Sequence, residues 1–128
     1  MKRHGILNSH LSKVFADLGH TDTIVVADAG LPVPDGVKKI DLSLKQGVPS
    51  FLEVVEVLKE EMVVERVTVA EEMEQNPSVH EGMKEWFDEM DSLTHEALKD
   101  QLKHAKAVVR TGEITPYANC ILHAGVTF

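Results

Sequence analysis

The stretch Thr23-Ile-Val-Val-Ala27 is short, apolar at successive positions and rich in β-branched side chains, and it constrains the fold more than any other part of the chain. β-Branched residues suit the pleat, and neighbouring residues on a strand point to opposite faces of the sheet. Apolar side chains at consecutive positions therefore predict a central strand covered on both faces, the pattern of a parallel sheet. Asp28 follows, and then Ala-Gly-Leu-Pro-Val-Pro-Asp-Gly, which cannot continue a strand because prolines lack donors and glycines favour turns. Asp28 is thus predicted at a strand's C-terminal end, the edge of an open α/β sheet where ligands bind.

The segments around this strand alternate between helical and strand patterns. Leu7, Leu11, Val14, Phe15 and Leu18 draw one apolar stripe, with Asn8 or Ser9 able to cap the helix and Gly19 predicted as the left-handed residue that ends it. His20 then falls in the turn before the strand. Ile40, Leu42 and Leu44 alternate with polar residues, a short strand signal; Pro49 fits the first turn of a helix carrying Phe51, Leu52, Val55, Leu58 and Met62; and Val64 to Ala70 reads as a strand. Asn76-Pro77-Ser78 breaks the chain ahead of a stripe formed by Val79, Met83, Trp86, Phe87 and Met90. Thr94 precedes a helix from His95 to about His104, on which His95 and Lys99 share a face. Ala107 to Val109 is a buried strand that runs into a polar loop, Arg110 to Asn119. The chain closes on apolar residues, Cys120 to Leu122 and Gly125 to Phe128, a terminus expected to pack, against the chain itself or another subunit. The expected fold is a single Rossmann-like α/β domain over residues 1–128, three-layered, with a largely parallel sheet and helices on both faces.

Composition narrows the function. A chain of 128 residues can bury a sizeable core without staples, and a single cysteine excludes an internal disulfide. No apolar run reaches the roughly 20 residues that span a bilayer, and the N-terminus leads into an amphipathic pattern, so a cytoplasmic protein with no membrane partner is expected. The net charge of −8 argues against nucleic acid and favours a neutral small molecule. Neither a Gly-x-Gly-x-x-Gly nor a Gly-x-x-x-x-Gly-Lys-Ser/Thr motif is present, and the seven histidines show no metal-ligand spacing. No metal or cofactor is expected, and Cys120 reads as a small core residue.

What remains is a set of polar groups at loop and helix positions: His20 and Asp28 flanking one strand, Thr111, Tyr117 and Asn119 near another, and His95 with Lys99 on one helix face. Imidazole and carboxylate handle protons at neutral pH, and tyrosine, asparagine and threonine offer neutral donors and acceptors suited to sugar hydroxyls. Each also has an ordinary reading: a surface histidine, an aspartate capping its own loop, an asparagine holding a turn, a solvated helix lysine.

Four separated motifs, His4-Gly-Ile-Leu-Asn-Ser9, Leu18-Gly-His-Thr-Asp22, Asp28-Ala-Gly-Leu-Pro-Val-Pro34 and Arg110-Thr-Gly-Glu113 with Pro116-Tyr-Ala-Asn119, closely resemble the D-ribose pyranase family, in the same order and from end to end. The resemblance implies an enzyme that interconverts the pyranose and furanose forms of D-ribose, supplying the form used by ribokinase. It places the proton-donating histidine at His20 and sugar contacts at Asp28, His95, Tyr117, Ala118 and Asn119. Lys99 joins that set from its helical spacing alone. The resemblance further implies a homo-oligomer, a decameric ring with the sugar in a cleft between subunits. The sequence-level expectation is that Asp28 orients His20. Rival readings are a fucose mutarotase-like activity on another sugar and a non-catalytic sugar-binding accessory of ribose transport.

Overall fold

The computed structural model describes all residues, Met1–Phe128. Six strands form one sheet: β1 (Thr23–Ala27), β2 (Lys39–Asp41), β3 (Val64–Ala70), β4 (Asp91–Leu93), β5 (Ala107–Arg110) and β6 (Cys120–Ala124), in the spatial order β2-β5-β1-β6-β3-β4. β2, β5 and β1 pair in parallel, as do β3 and β4. β6 runs antiparallel to both its neighbours, β1 and β3. The sheet is therefore largely parallel in direction, with one reversed strand in its middle. A strand that comes last in the chain reaches an interior slot without a crossover helix only by turning back, and the short loop from Arg110 to Asn119 allows just that.

Ile24, Val25 and Val26 are fully buried, as the unbroken apolar run predicts. Ile24 and Val26 join the larger core under α1 (Ser9–Asp17), α2 (Phe51–Glu61) and α3 (Pro77–Trp86), where Phe51, Leu58, Met73 and Met83 are completely enclosed. Val25 and Ala27 point the other way, into a smaller core with Leu98 and Leu102 from α4 (His95–Gln101) and the short 3₁₀ turn after it. Helices cover both faces, but unevenly: three on one side and one on the other. No helix is long and apolar enough to cross a membrane.

Several local expectations change. The α1 stripe starts at Leu11, not Leu7, because Asn8 is the N-cap and Leu7, before it, is 61% exposed. Gly19 is not left-handed; the chain leaves α1 through extended Leu18, and the Asp22 carboxylate accepts from the Gly19 N–H at 2.8 Å. Ser50 rather than Pro49 opens α2, in a reciprocal capping box with Glu53. Phe87 and Met90 lie beyond the end of α3, packed against the larger core. β4 was not legible, since Asp91-Ser-Leu93 is too short and polar to carry a period. The apolar C-terminus packs only in part: Cys120 to Leu122 are buried within the chain, whereas Phe128 is fully exposed and Val126 partly so.

Cys120 lies on β6 within the larger core, and burial pushes its thiol far above the ordinary range. It is a packing residue, as its sequence context implied. Alkylation by iodoacetamide at pH 8 is expected only at the rate of global unfolding; prompt labelling of the folded protein contradicts this.

Candidate active site

The exits of β1 and β5 lie side by side, because the two strands pair in parallel with Ala27 opposite Arg110. The two polar loops that follow are therefore neighbours, and their contacts lock them together. The Ala29 N–H donates to the Glu113 carbonyl at 2.8 Å, while Arg110 Nε donates to the Ala29 carbonyl at 3.0 Å. Thr111 is buried, its hydroxyl donating to Ala27 O at 2.8 Å and accepting from the Glu113 N–H at 3.1 Å. Gly112 is required by crowding, since a Cβ there would run into the backbone of Lys45 and Val48. The Glu113 carboxylate then caps the start of α2, accepting from the Phe51 N–H at 3.0 Å, and its other oxygen accepts from the Thr115 hydroxyl at 2.8 Å.

Asp28 sits at the centre of this arrangement. One carboxylate oxygen accepts from the Gly30 N–H at 2.9 Å and the other from Asn119 Nδ2 at 3.0 Å. Asn119 in turn accepts from the Asp28 N–H at 2.8 Å through its own amide oxygen. This two-way pairing joins residues 91 positions apart and leaves the carboxylate no freedom to rotate. Tyr117 adopts φ 66°, a left-handed conformation uncommon for a bulky residue. Such local strain, on the order of 1–3 kcal/mol, persists where the surroundings enforce it and concentrates at functional sites. Here the turn is closed by the Asn119 N–H donating to the Tyr117 carbonyl at 2.9 Å.

A cleft of about 550 Å³ opens over these loops. Asp28, His95, Lys99 and Tyr117 all line it, with Glu113 and Thr115. His95 meets the Tyr117 ring edge-on at 5.1 Å. Lys99, one helical turn further along α4, pairs with Glu96 at 2.9 Å. The remaining predicted residues lie elsewhere. Asn119 is fully buried behind Asp28 and shapes the site from below. Ala118 is enclosed in the larger core, its N–H donating to Thr115 O at 3.4 Å. Glu113 and Thr115 are cleft residues the sequence reading passed over, although Glu113 stands within one of its motifs.

His20 is at the opposite end of β1. The whole strand separates it from Asp28, roughly 17 Å at ~3.3 Å per residue. Its Nε2 pairs with Glu65 Oε2 at 2.9 Å, and both side chains are about half exposed to solvent. The expectation that Asp28 orients His20 therefore fails within one chain, because a strand is stiff and holds its two ends apart. Thr21, next to His20, is the other non-glycine residue with positive φ, at 72°.

Comparison with known proteins matches this architecture from end to end. The model of the RbsD / FucU transport protein family covers residues 1–127. A D-ribose pyranase of Bacillus licheniformis is 61% identical over 131 residues, covering all of both chains. The structure of Bacillus subtilis RbsD complexed with D-ribose superimposes with a TM-score of 0.97 at 60% identity, again over the full length of both. The fucose mutarotase of Streptococcus pneumoniae shares the fold, with a TM-score of 0.84 at 24% identity over 99% of this chain and 100% of its own. From the interlocked strand exits to the full-length match in sequence and structure, the chain belongs to the RbsD / FucU family.

Proposed function

We propose that this protein is a D-ribose pyranase, a cytoplasmic isomerase of one domain that interconverts the pyranose and furanose forms of D-ribose without cofactor or metal. The observation that carries the reading is the cleft at the exits of β1 and β5, where a fixed carboxylate, an imidazole, a phenol and an ammonium converge, in a chain 60% identical to a protein whose structure was determined with D-ribose.

The chemistry requires only proton movement. Removing the proton from the anomeric hydroxyl while protonating the ring oxygen breaks the C1–O5 bond and leaves an open-chain aldehyde. Rotation brings the C4 hydroxyl to C1. Its oxygen adds to the carbonyl, its proton leaves to a base, and the carbonyl oxygen regains a proton, so protons and electrons balance over the cycle. Asp28, His95, Lys99 and Tyr117 hold the sugar hydroxyls. Asn119 fixes Asp28, and Ala118 belongs to the segment that carries Tyr117.

His20 is the proton donor in this reading, supplied to the cleft by a neighbouring copy. The exposed apolar tail supports it: β6 is antiparallel to β1, so Val126 and Phe128 leave the sheet at the same end as His20. Seating that tail on another subunit carries His20 towards the neighbour, as in the decameric ring that the resemblance implies. Sedimentation is expected to give a mass many times that of one chain; a monomer removes the shared cleft.

The activity is tested by magnetisation-transfer NMR on D-ribose at neutral pH. Exchange between pyranose and furanose resonances should accelerate when the protein is added. Unchanged exchange with the sugar still bound overturns the enzyme in favour of a sugar-binding accessory, and acceleration with L-fucose but not ribose would assign the other branch of the family.

A further inference from the structure

α4 is a helix of only seven residues, yet it carries two of the side chains that line the cleft, His95 and Lys99. So short a helix has little stability of its own, and its position depends on what ties it down. Leu98 anchors its inner face in the smaller core, which Leu102 of the following 3₁₀ turn also enters. Its first turn is tied by two acceptors. Thr94 caps it conventionally, its hydroxyl accepting from the Ala97 N–H at 3.2 Å. Glu72, from the 3₁₀ turn that follows β3, straddles the N–H of His95 with both carboxylate oxygens, at 3.0 and 3.1 Å.

The placement of Glu72 has two consequences. The His95 N–H is one of the donors that a helix start leaves without an intrahelical partner, and a carboxylate there gains from both the charge-assisted bond and the helix dipole. More important for the site, the bond grips the backbone of the residue whose ring faces Tyr117. The His95 Nδ1 is buried and has no hydrogen-bond partner of its own. No side-chain hydrogen bond at that nitrogen orients the ring, so its aim follows from the backbone and from the edge-on contact with Tyr117.

We infer that Glu72 is a positioning residue for sugar binding: by clamping the His95 N–H it holds the first turn of α4 so that His95 and Lys99 face the cleft. This rests on the ribose pyranase reading for its kinetic readout, but not for its structural one. Glu72 is not among the residues that line the cleft, and it acts through His95.

Two substitutions separate this role from its rivals. Glu72→Ala removes the acceptor, whereas Glu72→Gln keeps one amide oxygen able to accept from the same N–H. The alanine variant is expected to lose between about 10-fold and 100-fold in kcat/KM for ribose exchange, mainly through KM, as misplacement of binding groups by about 1 Å does. The glutamine variant should recover most of that loss. Equal losses in both variants would mean that the carboxylate charge itself is needed, and would overturn the positioning role. No loss in either would overturn it as well.

The ¹H–¹⁵N spectrum of the free protein supplies the readout that needs no sugar. The His95 ring signals, set by the Tyr117 ring beside them, should shift in Glu72→Ala and return in Glu72→Gln. Signals unmoved in the alanine variant overturn the inference even if the wild type proves to have no exchange activity.

Discussion

Replacing His20 by alanine is expected to slow pyranose–furanose exchange by about 10²- to 10⁴-fold, the range a positioned acid or base contributes. The fold should be almost unaffected. His20 is half exposed and its partner Glu65 is a surface carboxylate, and an ion pair of that kind is worth at most about 1 kcal/mol. Equilibrium unfolding and ribose binding should therefore remain close to wild type while exchange collapses. Exchange at the wild-type rate would remove His20 from the mechanism.

The same substitution tests where His20 acts. Asp28→Asn is expected to be similarly impaired, because the new amide group meets the donors that now hold the carboxylate, Gly30 N–H and Asn119 Nδ2. If His20 and Asp28 serve one cleft from different copies, co-expressing His20→Ala with Asp28→Asn rebuilds intact sites wherever an alanine copy receives the histidine of an asparagine copy. Random head-to-tail assembly then restores roughly a quarter of the wild-type activity. Recovery no greater than the sum of the two separate variants would place both residues in sites that subunits do not share.

Asn119→Leu is expected to be the most damaging substitution behind the cleft. It preserves approximate size but removes the acceptor of the Asp28 N–H and the donor to its carboxylate. An unsatisfied buried polar group costs about 1–3 kcal/mol, and here two are released, one of them able to find water because Asp28 borders the cleft. A loss of about 2–4 kcal/mol in urea unfolding is expected. Exchange activity in the folded fraction should fall at least tenfold, since the Gly30 N–H alone then holds the Asp28 carboxylate. Wild-type stability and activity together would show that water or a neighbouring group replaces the amide on both sides.

The elements that could be read from the sequence are those whose signal is local. Thr23–Ala27 and Val64–Ala70 occur with the predicted bounds. The stripes of α2 and α3 were legible because a helix repeats its buried face every three or four residues. Asp28 at a strand exit followed from the Pro/Gly loop behind it, and the family from motifs spaced along the whole chain. The Asp28–Asn119 pair, the clamp of Glu72 on His95 and the His20–Glu65 contact each join residues distant in sequence, and periodicity carries no information about such pairs. The distance between His20 and Asp28, by contrast, is implied by the sequence, because a strand between two residues already separates them.

By itself, then, the sequence determined the helices and every strand but β4, the strand exit that bears Asp28 and the family of the chain, since each depends on neighbours within a few residues or on motif order. The tertiary structure alone decided that β6 lies reversed between β1 and β3, that the exits of β1 and β5 form one cleft, and that His20 stands at the far edge from it. These are matters of strand pairing and of which polar groups find partners once the backbone is buried, and both are settled by contacts between segments that the chain keeps far apart.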